Sequence, residues 1–116
     1  MSQGACIFCK IAAGEIPAKK VHEDDEVVAF RDLNPQAPTH ILIISRRHVA
    51  SLAAAGEADG ALLGRLLLAA RTIAEREGIA TDGYRVVTNS GELGGQSVFH
   101  IHLHLLGGRP MTWPPG

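Results

Sequence analysis

VFHIHLHLL, residues 98–106, alternates histidine with aliphatic side chains. Because successive side chains of a strand point to opposite faces, the pattern predicts a β-strand with His100, His102 and His104 on one face. We expect the aliphatic face to pack against a core and the three imidazoles to face outward. The segment therefore predicts both a strand of the core and a row of titratable rings.

The row of three histidines admits three interpretations. A plain surface explains it poorly, because polar strand faces usually carry Thr, Lys, Ser or Glu. One metal ion does not easily take all three rings, since His100 and His104 are anchored about 13 Å apart at ~3.3 Å per residue, whereas nitrogens on one zinc lie within about 4 Å of each other. A central ring flanked by two others suits proton transfer and nucleophilic chemistry, provided its pKa is depressed. His102 is therefore the predicted nucleophile.

Four further segments predict strands, because they are rich in Val, Ile, Leu or Tyr and are bounded by turn residues. They are residues 21–23, 26–31, 40–45 and 84–89. Together with residues 98–106 they predict a sheet of about five strands.

Two segments predict helices. Residues 58–77 are rich in Ala, Leu, Arg and Glu, and their apolar positions have helical spacing: Leu62, Leu66, Ala70 and Ile73, with Gly78 as the stop signal. The first sixteen residues carry a shorter apolar pattern that Gly14 and Pro17 interrupt. Several strands with one long and one short helix indicate an α+β fold.

Length, charge and cysteine content restrict the function further. A chain of 116 residues with no linker predicts a single domain over residues 1–116, in which 110–116 form an extended tail, and pairing into a homodimer would bury more surface. A formal net charge of −1 and the isolated pair Arg46 and Arg47 argue against nucleic-acid binding. No apolar run is long enough to cross a bilayer and no leader pattern is present, so we expect a cytoplasmic protein. Cys6 and Cys9 are either metal ligands or reduced core residues.

The loop before the histidine row is rich in glycine, residues 89–97 reading NSGELGGQS. Glycines let backbone N–H groups approach an anion, so the loop is either a phosphate cradle or an ordinary flexible turn. The loop by itself leaves both interpretations open.

These motifs together resemble the histidine triad family. The resemblance rests on HIHLHLL after GGQSVF and on DLNPQAPTH at residues 32–40, and it extends from Ile7 and Phe8 to the WPPG ending. It is closest to the purine nucleoside phosphoramidase branch, which hydrolyses nucleoside 5′-phosphoramidates such as adenosine phosphoramidate or lysine joined to AMP, through a nucleotidyl-histidine intermediate. It implies a histidine triad fold and a dimer with a continuous sheet.

The resemblance also implies residue roles. His102 is the nucleophile, while His104 and Ser97 contact the phosphate and leaving group and His40 supports the triad. The implied nucleotide-binding residues are Asp32, Leu33, Asn89, Gly95, Gln96, Phe8, Ile11 and Ile16. Taken alone, Phe8 and Ile11 would instead be core residues and Asp32 a turn residue. Trp113 in the tail is expected to reach the other subunit's active site and help select the leaving group.

Some bacterial-type relatives carry a structural zinc, and the matching positions here are Cys6, Cys9, His48 and His100. If zinc binds there, His100 is structural; otherwise it is the third catalytic histidine. No cofactor is expected for catalysis. Ser45-Arg46-Arg47 departs from the Pro-Lys-Lys or Pro-Lys-Arg usual before this histidine, and we expect the change to affect mainly a strand end.

Two other functions stay open at this point. The chain could be a nucleotide- or zinc-binding regulatory module with incidental hydrolysis, or it could belong to the dinucleoside polyphosphate hydrolase or nucleotidyltransferase branch. The GGQS lead-in and the WPPG ending favour the phosphoramidase.

Overall fold

The computed structural model describes residues 5–116, and the first four residues of the predicted domain lie outside that range. Its elements confirm the α+β prediction of five strands with one short and one long helix. In chain order they are α1 (Ile7–Ala12), β1 (Lys20–Glu23), β2 (Val27–Arg31), β3 (Thr39–Ser45), α2 (Gly60–Arg76), β4 (Tyr84–Val87) and β5 (His102–Gly107), with one 3-10 turn, Glu57–Asp59, before α2.

The five strands form one antiparallel sheet in the order β1-β2-β3-β5-β4. β3 is central and carries β5 along one side, with Ile44 opposite His102 and Leu42 opposite His104. Directly opposed residues share a face of the sheet, so two of the three histidines lie on the same face as these aliphatic residues. β1 and β4 are the edges.

Each face of the sheet is covered by one helix. The long helix α2 buries the predicted positions Leu62, Leu66, Ala70 and Ile73 against the face that carries Ile41, Ile43, Leu103 and Leu105. The short helix α1 buries Phe8 and Ile11 against the opposite face, which carries Val28, Phe30, Leu42 and Ile44. The apolar side of the histidine strand therefore packs as expected, on α2. None of the helices in the described part of the chain is long and apolar enough to span a membrane.

The predicted strand 98–106 starts late, because residues 98–101 do not join the ladder and β5 begins at His102. The N–H of Ile101 donates instead to the Val49 carbonyl at 2.6 Å. The ring of His100 is drawn to a cluster of cysteine and histidine side chains described below. His100 therefore precedes the strand that was predicted to carry it, although its ring lies on the α1 side of the sheet, as that of His102 does.

The expectation that the imidazoles face outward was wrong. His100 is 0% exposed and His102 is 5% exposed, and only His104 is partly accessible. The physical reason is α1, which packs on the same face of the sheet and lays the Phe8 ring edge-on against His100 and His102.

The predicted strand 84–89 ends early, at Val87. The next residue, Thr88, uses its side chain rather than its main chain to bind β5: its hydroxyl donates to the His102 carbonyl at 2.8 Å. This contact ties the end of β4 to the residue predicted as nucleophile.

Candidate active site and metal centre

His102 is held as a neutral ring with one free nitrogen. Its Nδ1 lies 2.7 Å from the His100 carbonyl oxygen, and because a carbonyl can only accept, Nδ1 carries the proton and Nε2 the lone pair. Burial lowers the pKa of His102, although the hydrogen bond to His100 opposes this shift. The ring is therefore a neutral imidazole with a lone pair available at neutral pH.

His104 stands beside this ring, with the two centroids 5.1 Å apart. Its Nδ1 lies 2.9 Å from Nε2 of His40. The backbone N–H of Gln36 donates to the other nitrogen of His40 at 3.0 Å, so neutral His40 carries its proton on Nε2 and donates to His104. His104 consequently carries its own proton on Nε2.

The electrostatic surroundings keep His104 neutral as well. Burial, followed by the nearby rings of His102 and His40, lowers the pKa of His104 to about 4, and Asp32 opposes the shift only weakly. Burial also lowers the pKa of His40, whose Nε2 lies 3.4 Å from a carboxylate oxygen of Asp32. The site thus places a lone pair, on His102, next to a neutral N–H donor, on His104.

The trio Asp32, His40 and His104 brings a carboxylate and two imidazoles within 4.8 Å of one another, a grouping that could suggest a metal site. The hydrogen bond from Gln36 argues against it. A metal on Nε2 of His40 would move the ring proton to Nδ1, where it would meet the N–H of Gln36. The trio is better described as a hydrogen-bond chain ending at His104.

Hydrogen bonds of the Gln96 side chain hold the glycine-rich loop in place. The buried amide of this side chain donates to the Ala50 carbonyl at 2.7 Å and the Val98 carbonyl at 3.1 Å, and it accepts from the Gly91 N–H at 2.9 Å. At Gly94 a Cβ would lie 2.8 Å from the Ser90 carbonyl oxygen, so only glycine fits there. The loop is therefore not an ordinary flexible turn, because all the polar atoms of the Gln96 side chain form hydrogen bonds that hold it.

The other residues expected to bind the nucleotide differ in their exposure. Ser97 and Gly95 are exposed, and Asn89 is half-buried. Asp32 accepts the Asn34 N–H at 2.8 Å, as a turn residue does. Leu33 is 96% exposed.

Of the residues expected in the purine slot, Phe8 of α1 contacts the triad. Phe8 and Ile11 are each 6% exposed and belong to the core, while Ile16 is half-buried at its edge. The Phe8 ring meets His102 edge-on with centroids 5.0 Å apart. A cavity of about 480 Å³ lies elsewhere, between Gly78 and Arg109.

A second cluster brings together the four residues predicted as zinc ligands, Cys6, Cys9, His48 and His100, whose donor atoms all lie within 4.8 Å of one another. Nδ1 of His100 lies 3.4 Å from the Cys6 sulfur and 3.5 Å from the Cys9 sulfur. Nδ1 of His48 lies 3.3 Å from the Cys9 sulfur.

These separations fit a tetrahedral zinc, because bonds of about 2.3 Å to sulfur and about 2.0–2.1 Å to nitrogen place neighbouring sulfur and nitrogen ligands about 3.6 Å apart. The tautomer of His100 also fits: its Nε2 donates to the Ser45 carbonyl at 2.6 Å, which directs the Nδ1 lone pair at the sulfurs. Burial, then the adjacent Cys6, raises the pKa of the Cys9 thiol to about 11, so a cation is needed to hold the Cys9 sulfur as a thiolate at neutral pH.

Sequence reasoning missed Ser45 and Gln36, which act through their main chains. The departure at Ser45 was expected to affect mainly a strand end, and Ser45 is the last residue of β3. It is also fully buried, and its carbonyl accepts from His100. No pattern of side chains signals a main-chain carbonyl or N–H in such a role. The nearest signal was position, since Ser45 ends the strand beside His48.

The tail lies along the edge strand β4. Arg85 of β4 donates to the Thr112 carbonyl at 2.9 Å, and its guanidinium stands 5.9 Å from the centre of the Trp113 ring. Trp113 itself is 81% exposed.

Comparisons with known proteins agree with this arrangement. The HIT domain model matches residues 13–111. The chain is 57% identical over 112 residues to the 14 kDa zinc-binding protein of Zea mays, covering 95% of this chain and 87% of that protein. Among solved structures, a HIT family hydrolase from Legionella pneumophila Philadelphia 1 superposes with a TM-score of 0.94 at 56% identity, covering 96% of this chain and 99% of that one. A histidine triad nucleotide-binding protein from Candida albicans superposes with a TM-score of 0.79 at 32% identity, covering 95% and 83%. The chain belongs to the HIT family, the histidine triad family of its sequence resemblance.

Proposed function

We propose that the protein is a hydrolase that cleaves the P–N bond of purine nucleoside 5′-phosphoramidates through a nucleotidyl intermediate on His102. One observation carries this proposal: the lone pair on Nε2 of His102 lies beside His104, whose Nε2 carries a proton. A nucleophile next to a neutral donor is what displacement of an amine from phosphorus requires.

In the first step Nε2 of His102 forms a bond to phosphorus as the P–N bond breaks. The amine leaves with a proton from His104 or from the Ser97 hydroxyl. His40 holds His104 in position by donating a hydrogen bond to its Nδ1. In the second step water attacks the same phosphorus, the bond to His102 breaks, and the nucleoside monophosphate leaves while the water's proton returns to the histidine chain. Every group used belongs to the protein, the substrate or water.

For the substrate, we infer a purine nucleoside monophosphate derivative. Asp32 would accept hydrogen bonds from the ribose hydroxyls, and the loop with Asn89 and Gly95 would face the phosphate. The base would lie against the α1 side of the triad, beside Phe8. The named nucleotide binding of the Candida albicans relative supports this assignment.

We also propose that Cys6, Cys9, His48 and His100 hold a structural zinc. Such an ion would cross-link α1 to the segments that carry the two histidines. The fit of the four donors and the name of the Zea mays relative support it. His100 is then a ligand, and His102 and His104 remain for the reaction.

A homodimer fits the exposed apolar surface. Leu52 and Leu67 are exposed at a cavity of about 220 Å³ that is lined only by apolar atoms, and Leu68 of α2 is exposed as well. A second copy covering this band would bury it and could bring the Trp113 tail to the partner's site. We place the enzyme in the cytoplasm.

The test is a single turnover with adenosine phosphoramidate, followed by intact mass measurement. Wild type should show an adduct of one AMP, Ser97→Ala should accumulate it more slowly, and His102→Ala should show none. His22→Gln serves as a control for changing a histidine outside the site. Absence of adduct and of AMP release from wild type would remove the proposal.

Two alternatives have their own signatures. A regulatory module would bind AMP tightly and release no product, so AMP affinity without turnover identifies it. A panel that compares phosphoramidates with diadenosine polyphosphates separates the phosphoramidase from the polyphosphate hydrolase branch, because the preferred substrate differs.

A further inference from the structure

Helix α1 is held at both ends by contacts outside the helix. At its start, Cys6 caps the helix by accepting the Cys9 N–H, and both sulfurs belong to the cluster with His48 and His100. At its end, Arg46 donates from NH1 to the Ala12 carbonyl at 2.8 Å. A helix of six residues is not stable by itself, so its position depends on these two anchors together with the packing of Phe8 and Ile11 on the sheet.

Arg46 is a rigid anchor because its three nitrogens reach three different acceptors. Besides Ala12, its Nε donates to the Asp24 carbonyl at 2.6 Å and its NH2 to the Glu23 carboxylate at 3.1 Å. The planar fork of a guanidinium can serve three acceptors at once, whereas a lysine presents a single point charge. The end of α1 is thereby fastened to the turn between β1 and β2.

Between the two anchors, α1 lies directly on the catalytic face. The Phe8 ring is 5.9 Å from the ring of His100, in the metal cluster, and 5.0 Å from the ring of His102. One side chain therefore contacts both centres. A change in the position of α1 has to alter the surface that receives the base.

We propose that metal occupancy and purine binding are thermodynamically linked through α1: a cation on Cys6, Cys9, His48 and His100 raises the affinity for a purine nucleotide, and a bound purine slows loss of the cation. The linkage rests on the proposed function, since it needs the base to lie against α1. Because linkage is reciprocal, a bound purine must raise the affinity for the cation by the same factor as the cation raises the affinity for the purine.

The first experiment uses the zinc-loaded full chain and follows transfer of zinc to a chromogenic chelator. AMP at saturation should slow the transfer about fivefold or more, a coupling of ordinary size. Ribose 5-phosphate is the matched control, because it carries the same phosphate and sugar but has no base that could contact α1. At saturation, confirmed by calorimetry, it should slow the transfer less than twofold.

Two outcomes of this experiment overturn the linkage. Equal slowing by AMP and ribose 5-phosphate would mean that any ligand stabilises the whole fold, with no special part for α1. No slowing by AMP, although calorimetry shows that it binds, would mean that the two sites are independent.

The second experiment loosens the other anchor and leaves every metal ligand in place. Arg46→Lys keeps the charge but loses the three-acceptor fork, so AMP affinity should fall about fivefold, with zinc content and far-ultraviolet circular dichroism unchanged. Arg47→Lys is the control, because Arg47 is exposed and pairs with Asp59, away from α1. Equal AMP affinity in the two variants would overturn the role assigned to α1.

The proposed function and the linkage fail in distinguishable ways. Failure of AMP to bind wild type removes both. If AMP binds and turnover is normal, but AMP and ribose 5-phosphate have the same effect on zinc transfer, only the linkage is removed. Linkage without turnover removes the proposed hydrolysis and leaves the linkage standing.

Discussion

His100 and His102 are two residues apart in one histidine pattern, yet they use opposite ring nitrogens. His100 donates from Nε2 to the Ser45 carbonyl and turns Nδ1 to the sulfurs. His102 donates from Nδ1 to the His100 carbonyl and leaves Nε2 free. In each ring a main-chain carbonyl selects the tautomer, and each tautomer fits the role proposed for that ring: a metal ligand for His100 and a nucleophile for His102.

The largest effect is expected from a substitution that removes the free Nε2 of His102. His102→Ala should lower kcat for an adenosine phosphoramidate by about 10⁴-fold or more, because no other group replaces a covalent nucleophile. Zinc content should be unchanged, since His102 lies outside the cluster. Steady-state kinetics with metal analysis checks both parts; a loss of less than tenfold would contradict the assignment.

Removing one of the proposed zinc ligands should affect the metal cluster rather than the triad. Cys9→Ser should lose zinc and lower the free energy of unfolding by about 3 kcal/mol or more, since metal binding stabilises only the folded chain. Urea unfolding and metal analysis measure this, with Ser51→Ala as a control for a small change at another buried position. Full stability in the absence of metal would show that the four residues are simply core.

The neutral state of His104 should make stability depend on pH. The pKa of His104 in the folded chain, about 4, lies below the ordinary value of 6.5. Between these two pH values His104 therefore binds a proton in the unfolded chain but not in the folded chain. Its contribution is complete above pH 6.5 and is lost as pH falls toward 4, by about 1.4 kcal/mol per pH unit.

The measurement is urea unfolding of wild type and His104→Gln at pH 7.5 and pH 5.5. Wild type should lose more stability between the two pH values, by about 1 kcal/mol. Comparing the two proteins cancels the pH dependence of the metal centre, which both retain. Identical losses would mean that His104 is not held neutral.

The smallest expected effect concerns the side chain of Ser45. Its hydroxyl donates to the Arg47 carbonyl at 2.6 Å, while its own carbonyl holds His100. Ser45→Ala keeps the carbonyl, so we expect a loss of about 1 kcal/mol in stability with the zinc content retained. Loss of zinc in this variant would show that the hydroxyl, rather than the main chain, orients His100.

The elements of the fold followed from periodicity, but their ends did not. The spacing of Leu62, Leu66, Ala70 and Ile73 predicted α2, because a helix places such positions on one face. The start of β5 was missed because alternation of side chains continues through residues 98–101, where tertiary contacts take the backbone out of the ladder. A local pattern does not contain those contacts.

The site was predicted in its residue types and less well in their surroundings. His102, His104 and His40 come together as the family resemblance implied, and so do the four predicted zinc ligands. Burial of His100 and His102 was not foreseen, because it depends on α1 packing across the sheet. The saturated amide of Gln96 was not foreseen either, since its partners are main-chain atoms.

The sequence by itself determined the strands, the helices, the family and the set of side chains available for chemistry, because these follow from local spacing and residue type. Only the tertiary structure decided which ring nitrogen each of His100 and His102 uses as a donor and which it leaves with a lone pair. That choice depends on the Ser45 carbonyl, 55 residues away in the chain, for His100, and on the neighbouring His100 carbonyl for His102. The physical reason is that the two tautomers of a neutral imidazole are close in energy, so the hydrogen-bond partner that the fold supplies selects between them.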